Sequence, residues 1–214
     1  MIYHTTTNCR CSTRLHRVVR SSSAVVAGLI VTLLLGIVYA GDRGPGPFDQ
    51  SIMSRIEEST ANQDTLLRLL VLPTEPIVLL PLLAVLALTA LLGRGKRELA
   101  LVLAGPAVAV ALNTWLLKPA FGRYFDDHLA YPSGHAVSLV AVFTVLAVLA
   151  RPGVATRLVV GIGVLLTLGA GVGMAALGYH YPTDVLGAAA FAIAVVLGIA
   201  AGLERLPGAE KSAR

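Results

Sequence analysis

Two short motifs in an otherwise apolar chain carry the residues that could do chemistry. The first, Tyr131–His135, reads YPSGH, and the second, Gly178–Asp184, reads GYHYPTD. Lys118 and Arg123 precede both motifs. Ionisable groups beside hydrocarbon cost about 2.5–3.5 kcal/mol each at a helix centre, so a cluster of them indicates a functional site. Two histidines, a carboxylate and two cations beside lipid predict attack on a lipid-linked phosphate.

The composition places these motifs in a membrane protein. Hydrophobic residues make up 56% of the 214 residues, charged residues only 14%, and the mean hydropathy is +0.77. These values exclude a soluble domain and predict a polytopic membrane protein. The net charge of +5 does not indicate nucleic acid, because the cations cluster in short loops between apolar segments, as orientation signals do. The expected partners are therefore membrane lipids, with no nucleic acid.

Six apolar segments are long enough, or nearly so, to cross about 30 Å of hydrocarbon. They are Ser22–Ala40, Pro76–Leu92, Leu99–Leu117, Tyr131–Ala150, Leu158–Leu177 and Val185–Leu203. The sequence thus predicts an all-α fold, a bundle of six transmembrane helices in a domain spanning 22–203. The first segment has an alternative interpretation as a secretory signal with cleavage after Val38-Tyr39-Ala40, which would leave five helices.

The distribution of Lys and Arg predicts the orientation of this bundle. Twelve of the 17 lie at 1–21, 93–98, 151–157 and 204–214, and the opposite loops hold the other five, which are Arg43, Arg55, Arg68, Lys118 and Arg123. By the positive-inside rule both termini are cytoplasmic and both motifs face outward from a cell (inner) membrane. Abundant Ala, Val, Gly and Arg are typical of GC-rich bacterial coding, which favours a role in the cell envelope.

The segments outside the six helices are predicted from their polarity. The basic tail 1–21 and the tail 204–214 are expected to be cytoplasmic, the first of them disordered. Cys9 and Cys11 are not expected to form a disulfide in that reducing compartment.

The longest outer loop, 41–72, has its own periodicity. From Asp49 onward, three apolar residues recur at helical spacing opposite two glutamates, which predicts a short amphipathic helix on the membrane surface. The apolar residues are Ile52, Met53 and Ile56, and the glutamates are Glu57 and Glu58. This helix is either a structured linker or a gate for substrate.

Ser133-Gly134-His135 is predicted to open the fourth helix, because it follows Pro132. Free N–H groups at a helix start carry roughly half a positive charge and attract anions. Gly134 would let a phosphate approach the backbone closely. Ser133 could hydrogen-bond the anion, although a plain N-cap explains it equally well.

His180 and Asp184 lie four residues apart around a turn containing Pro182. Asp184 could accept a hydrogen bond from one ring nitrogen and leave the other nitrogen basic, as a nucleophile. The alternative is a helix cap with a structural hydrogen bond.

Lys118 and Arg123 would ordinarily be cations that snorkel to the interface, but their outer location opposes the orientation rule. Fixed cations beside an anion site explain them better.

Taken in order, these residues resemble the type-2 phosphatidic acid phosphatase family, whose pattern is K-x6-R-P, then P-S-G-H, then S-R-x5-H-x3-D. The resemblance covers roughly 45–203 and implies metal-independent, cofactor-free hydrolysis of a phosphomonoester or pyrophosphate. It implies that His180 forms a phosphohistidine, that Asp184 orients it and that His135 protonates the leaving oxygen. Lys118, Ser133 and Gly134 would hold the phosphate.

The chain departs from this pattern at two arginine positions. The first arginine of the pattern falls on Phe125 and its proline on Asp126, while Arg123 lies two residues early. The later Ser-Arg pair falls on Gly173 and Met174. We therefore expect Arg123 to bind phosphate in place of one missing guanidinium.

Three functions from different classes follow. The first is a lipid-phosphate phosphatase, for which the sequence does not choose among phosphatidic acid, phosphatidylglycerol phosphate, polyprenyl pyrophosphate and a polyprenyl-linked sugar phosphate. The second is a catalytically weak or inactive protein that binds or transports a lipid phosphate on the same scaffold. The third is an intramembrane metal enzyme whose ligands would come from two histidines and nearby acids, namely His135, His180, Asp126, Asp127 and Asp184.

Overall fold

The computed structural model describes residues 7–93 and 95–205, with side chains from Ser22 onward. Within these ranges the chain is almost entirely helical. The helices are α1 (Thr7–Val38), α2 (Pro47–Thr60), α3 (Asp64–Val71), α4 (Pro76–Gly93), α5 (Lys96–Leu112), α6 (Lys118–Phe121), α7 (Gly134–Leu149), α8 (Val154–Ala176) and α9 (Pro182–Arg205). A 3₁₀ turn, Leu72–Thr74, joins α3 to α4, and a π-helical turn, Asn113–Leu117, joins α5 to α6. One antiparallel hairpin pairs β1 (Tyr124–Phe125) with β2 (His128–Leu129).

Helices occupy all six predicted membrane segments, and among the described residues four helical stretches have the length and apolarity needed to cross a membrane. These four are Asp64–Gly93, Lys96–Phe121, Val154–Ala176 and Pro182–Arg205. Ser22–Val38 and Gly134–Leu149 are apolar but shorter. The protein is thus a multi-pass membrane protein with an all-helical bundle, as the composition predicts.

The regions flanking the bundle differ from the expectation in two respects. Helix α1 begins at Thr7, so the tail expected to be disordered is helical from that residue. The reason is that no Gly or Pro interrupts residues 7–27, and a helix started in the apolar segment can extend outward. The loop 41–72 contains two helices, α2 and α3, instead of one. Residues 1–6 and 206–214, which include the rest of both predicted tails, lie outside the described residues.

Helix α1 packs closely against α9. The Thr32 hydroxyl donates to the Gly187 carbonyl at 3.2 Å, and the Tyr131 hydroxyl donates to the Thr32 carbonyl at 2.5 Å. A Cβ on Gly28 would lie 2.6 Å from the Ala190 carbonyl oxygen, so the two helices touch backbone to backbone. These contacts make the first helix part of the bundle.

Helix α7 lies at the centre of the bundle and carries the first motif at its start. Residues along its length, such as Val137, Ala141 and Val145, are fully buried against α5, α8 and α9. An apolar groove of about 710 Å³ runs between α7, α8 and α9, and Ile52 and Ile56 of α2 cover one end. This groove contains none of the ionisable residues, which gather elsewhere, around the start of α7, the α8–α9 loop and the hairpin.

Candidate active site

The first motif forms the beginning of α7, as predicted. Ser133 is the N-cap, and its hydroxyl accepts a hydrogen bond from the Ala136 N–H at 3.4 Å. Its own N–H donates to the Asp184 carbonyl at 3.2 Å, which ties the start of α7 to the start of α9. A Cβ built on Gly134 would meet only the Asn113 amide nitrogen, at 3.8 Å. Packing within the protein therefore does not require glycine here, which fits a position kept free for a ligand.

The two motif histidines lie side by side. The ring centroids of His135 and His180 are 6.0 Å apart at an interplanar angle of 69°. The His135 side chain is 36% exposed, and its Nε2 lies 3.6 Å from Oε1 of Glu75, a residue just before α4. At this separation one phosphate can reach both rings from the open side of the site.

His180 lies in the loop between α8 and α9, outside the membrane-spanning helices, and is almost completely buried. Its Nδ1 lies 3.7 Å from Oδ2 of Asp184 and has no hydrogen-bond partner in the described part of the chain. This distance exceeds hydrogen-bond range, but catalytic contacts are often loose before substrate binds. Burial lowers the pKa of His180, while Asp184 acts in the opposite direction. The His180 ring therefore stays neutral, and hence nucleophilic, at a lower pH than the ring of an ordinary histidine does.

Asp184 is held rigidly behind this ring. It is fully buried in the first turn of α9, and its Oδ2 accepts the Tyr181 N–H at 2.9 Å. Its Oδ1 accepts from a terminal nitrogen of Arg123 at 2.6 Å. The oxygen nearest His180 thus has a fixed position, as an orienting carboxylate requires.

Arg123 belongs to a buried ion-pair cluster rather than to an open anion site. One terminal nitrogen bonds Asp184 Oδ1 at 2.6 Å and the Thr183 hydroxyl at 2.7 Å, and the other bonds Asp49 Oδ2 at 2.6 Å. The guanidinium carbon lies 4.3 Å from the ring centroid of Tyr39 and 4.4 Å from that of Tyr181. The side chain is completely buried. The expectation that Arg123 binds phosphate stays a prediction, and its position favours a structural role behind Asp184.

Lys118 lies beside the hairpin, near His180. Its ammonium group donates to the Leu129 carbonyl of the hairpin, which leaves two further N–H donors. Its charge is near enough to act on His180, where it contributes to the lowered pKa after burial. Lys118 directly follows the π-helical turn, and such turns occur frequently at functional sites.

Both positions at which the family pattern has arginine border this site. Phe125 packs against Tyr181, with ring centroids 4.6 Å apart. Met174 is fully buried, and its sulfur lies 3.6 Å from the Ser133 hydroxyl. The structure thus places an apolar side chain where each guanidinium would stand.

Several polar side chains at the site were missed by sequence reasoning. Asp49, from the first turn of α2, accepts from Arg123 and from both the N–H and the hydroxyl of Thr183. Asn113 is fully buried and donates to the Pro132 carbonyl at 3.3 Å. His128 lies 5.8 Å from His180 between ring centroids. Only His128 had a usable signal, as a further histidine just before the first motif; a single acid in a distant loop helix offers none.

The metal-enzyme alternative gains no support from this geometry. In the ranges that the structure describes, no three His, Cys, Asp or Glu side chains gather into a possible metal site. The carboxylate closest to His180, that of Asp184, is already bonded to Arg123 and to Tyr181.

Comparison with known proteins gives the family. The family model of the PAP2 superfamily matches residues 78–206, more than half of the chain, including both motifs. The chain belongs to the PAP2 superfamily. This match confirms the resemblance found in the motifs. The match does not include Asp49, so the acid paired with Arg123 comes from outside the family model.

A solved structure supports the same architecture. The transmembrane PAP2-type phosphatidylglycerolphosphate phosphatase from Bacillus subtilis superposes with a TM-score of 0.66 at 20% sequence identity. The alignment covers 82% of this chain and 93% of that one. At this identity the likeness concerns the fold. A search of curated proteins found no match.

Proposed function

We propose that this protein is an integral membrane phosphatase that hydrolyses a lipid-linked phosphate or pyrophosphate through a phosphohistidine. One observation carries the proposal: a buried His180 has the fixed carboxylate of Asp184 on one side and the His135 ring 6.0 Å away on another. A nucleophile, its orienting group and a proton donor are thereby assembled at the start of a helix.

The reaction would proceed in two steps. In the first, the free ring nitrogen of His180 attacks phosphorus, the bond from phosphorus to the lipid oxygen breaks, and His135 protonates the departing oxygen. The proton on Nδ1 of His180 remains there, and Asp184 stabilises the positive charge that the ring acquires. In the second, His135 removes a proton from water, the hydroxide attacks phosphorus, and the nitrogen–phosphorus bond breaks. Phosphate leaves and His180 is restored.

The phosphate oxygens would be held by the start of α7 and by Lys118. The backbone N–H groups of Gly134 and His135 have no earlier turn to bond to, so they supply the donors of an anion site, with Ser133 fixing the turn as N-cap. Lys118 adds a mobile cation with two spare donors. Arg123 then acts indirectly, by holding Asp184 in place.

The setting of the site favours a lipid substrate at the outer face. The site lies at one end of the bundle, at the loops that the Lys and Arg distribution assigns to the outside, with six helices crossing an inner membrane and both termini in the cytoplasm. The Bacillus subtilis relative is by name a phosphatidylglycerolphosphate phosphatase. We take glycerolipid and polyprenyl phosphates as the substrate class.

A binding or transport function is the second candidate, because one observation favours it. Phe125 and Met174 occupy the positions of both family arginines, so the site has less permanent positive charge than the pattern provides. Such a site could bind a lipid phosphate and turn it over slowly or not at all.

Turnover by the purified protein in detergent decides between these functions. Phosphate release is measured on phosphatidic acid, phosphatidylglycerol phosphate and polyprenyl pyrophosphate. His180→Ala should abolish release, His135→Ala should slow it by about 10²–10⁴-fold, the usual size of a general-acid contribution, and Arg68→Gln, which removes an exposed cation elsewhere, serves as the control. A phosphoryl group that is acid-labile and base-stable should be trapped on the wild-type protein. Full activity in His180→Ala would refute the nucleophile, and vanadate binding without turnover would establish the binding function.

A further inference from the structure

A third histidine stands beside the proposed nucleophile. His128 lies on β2, and its ring meets that of His180 edge to face, with centroids 5.8 Å apart and an interplanar angle of 85°. The two motifs alone do not include it, and the mechanism above gives it no task. Its side chain is exposed, so it lies on the open side of the site rather than in the core.

The hydrogen bond of His128 fixes its orientation. Its Nε2 lies 2.9 Å from the carbonyl oxygen of Tyr179, the residue preceding His180. A carbonyl only accepts hydrogen bonds, so Nε2 carries a proton and donates. Nδ1 is then the nitrogen that changes with protonation: it accepts in the neutral ring and donates in the imidazolium.

The hairpin brings this ring to the position of a missing arginine. Phe125 and His128 are cross-strand partners, and their rings stack with centroids 6.0 Å apart at 24°. Phe125 stands where the family pattern has its first arginine, so the side chain next to it, on the adjacent strand, is a titratable cation in place of a permanent one.

We propose that His128, as an imidazolium, supplies the cationic contact to the phosphoryl group that the guanidinium at position 125 would make. The proposal rests on the proposed function and adds a further binding residue to it. It predicts that the affinity of the site for phosphate falls as pH rises and His128 loses its proton. An arginine-based clamp would keep its charge throughout this range.

The charges around His128 come from three elements. His180 and the Tyr179 carbonyl face it from the α8–α9 loop. Lys118, at the end of the α5–α6 stretch, bonds the carbonyl of the next residue, Leu129. The hairpin itself carries the exposed carboxylates Asp126 and Asp127. A bound phosphate would add two negative charges to these surroundings.

Orthovanadate, a phosphate analogue, tests the proposal without requiring turnover. Its affinity for the purified protein is measured between pH 5.5 and pH 8.5 for the wild type and for three variants. His128→Gln keeps a polar side chain without charge, His128→Phe keeps the stack on Phe125 without charge, and His128→Arg makes the charge permanent. Arg68→Gln on α3 removes an exposed cation that is not part of the hairpin and is the matched control.

The expected results separate charge from packing. At pH 6, His128→Gln and His128→Phe should both bind vanadate about tenfold or more weakly, the usual effect of losing a charge-assisted hydrogen bond. The wild type should lose affinity towards pH 8.5, whereas His128→Arg should lose much less. Equal affinity in the wild type and His128→Gln, or no vanadate binding by the wild type, would overturn the inference.

The outcomes also distinguish this inference from the proposed function. Lipid turnover by the wild type with an unchanged Michaelis constant in His128→Gln would leave the phosphatase standing and remove His128 from the site. Vanadate binding that depends on His128, without turnover of any lipid, would keep the anion site and overturn the phosphatase.

Discussion

Replacing Arg123 by Lys tests whether this side chain binds phosphate or holds two buried carboxylates in place. The sequence alone does not distinguish these two roles. A phosphate ligand can be changed with little effect on folding, because it faces substrate. In the structure, however, Arg123 is completely buried and joins two carboxylates, Asp49 and Asp184, through different terminal nitrogens. Lysine has a single ammonium group and cannot reproduce this fork. We therefore expect Arg123→Lys to lose stability together with activity.

The size of the loss follows from the contacts. Lysine would lose one of the two hydrogen bonds to carboxylates, worth about 1.5–3 kcal/mol, and most of the stacking between Tyr39 and Tyr181, worth about 0.5–2 kcal/mol. The sum is about 2–5 kcal/mol of unfolding free energy. For a chain of this size that corresponds to a fall of roughly 5–15 °C in the unfolding midpoint.

The assay pairs thermal unfolding, followed by circular dichroism in detergent, with lipid turnover. Arg43→Lys is the matched control, since Arg43 also stacks on a tyrosine, with its guanidinium carbon 4.7 Å from the Tyr124 centroid, but is exposed. Its midpoint should match that of the wild type. An Arg123→Lys protein with an unchanged midpoint and reduced turnover would refute the structural role and return Arg123 to the phosphate.

A double-mutant cycle tests the ion pair between Arg123 and Asp49 in the same buried cluster. Arg123→Met leaves the Asp49 and Asp184 carboxylates buried without a cation, which typically costs about 3–5 kcal/mol. Asp49→Asn removes one of these charges, so the double variant should be more stable than the sum of the single changes predicts, with a coupling of about 0.5–3 kcal/mol. Strict additivity would mean that the two side chains do not depend on each other.

Three further predictions concern the catalytic end of the bundle. Because burial lowers the pKa of His180, the nucleophile stays deprotonated as pH falls, and the acidic limb of the kcat profile should lie below pH 6.5; a limb at or above 6.5 would contradict the neutral buried ring. Gly134→Ala should fold normally, since its Cβ meets nothing closer than 3.8 Å, yet lose activity by crowding the phosphate, whereas Gly198→Ala, with open space around it on α9, should keep both; equal activity would remove Gly134 from the anion site. Cysteine at Asp127 should react with an impermeant thiol reagent in intact cells and cysteine at Lys96 should not, and the reverse pattern would invert the topology.

The fold was largely predictable because the lengths of the apolar segments and the residues that start or stop helices determine it. Six apolar segments gave helices in the right places, and Pro132 followed by Ser133 gave the start of α7. The early start of α1 at Thr7 was not predicted, because polarity was taken to mean disorder where no helix breaker was present. The second helix of the outer loop, α3, was also missed, although it continues through a 3₁₀ turn into α4.

The geometry of the site was predictable from local sequence only where its residues are close together in the chain. His180 and Asp184 lie four residues apart, and local geometry brings them within 3.7 Å. Asp49 is 74 residues from Arg123, and no local pattern could pair them. The role expected of Arg123 rested on counting guanidiniums against a pattern, which says nothing about which carboxylates lie beside the side chain once the chain has folded.

The buried cluster also explains why an orienting carboxylate can share an arginine. With both acids ionised, Arg123 and its two carboxylates carry a net charge of −1. If Arg123 paired with Asp184 alone, that pair would be neutral, and the carboxylate would attract a positively charged His180 only weakly. Asp49 balances the guanidinium from the other side, at 2.6 Å, so the negative charge of Asp184 remains available to His180. Helix α2 thus does more than link two membrane segments, because its first turn supplies the charge that lets Arg123 fix Asp184 without neutralising it.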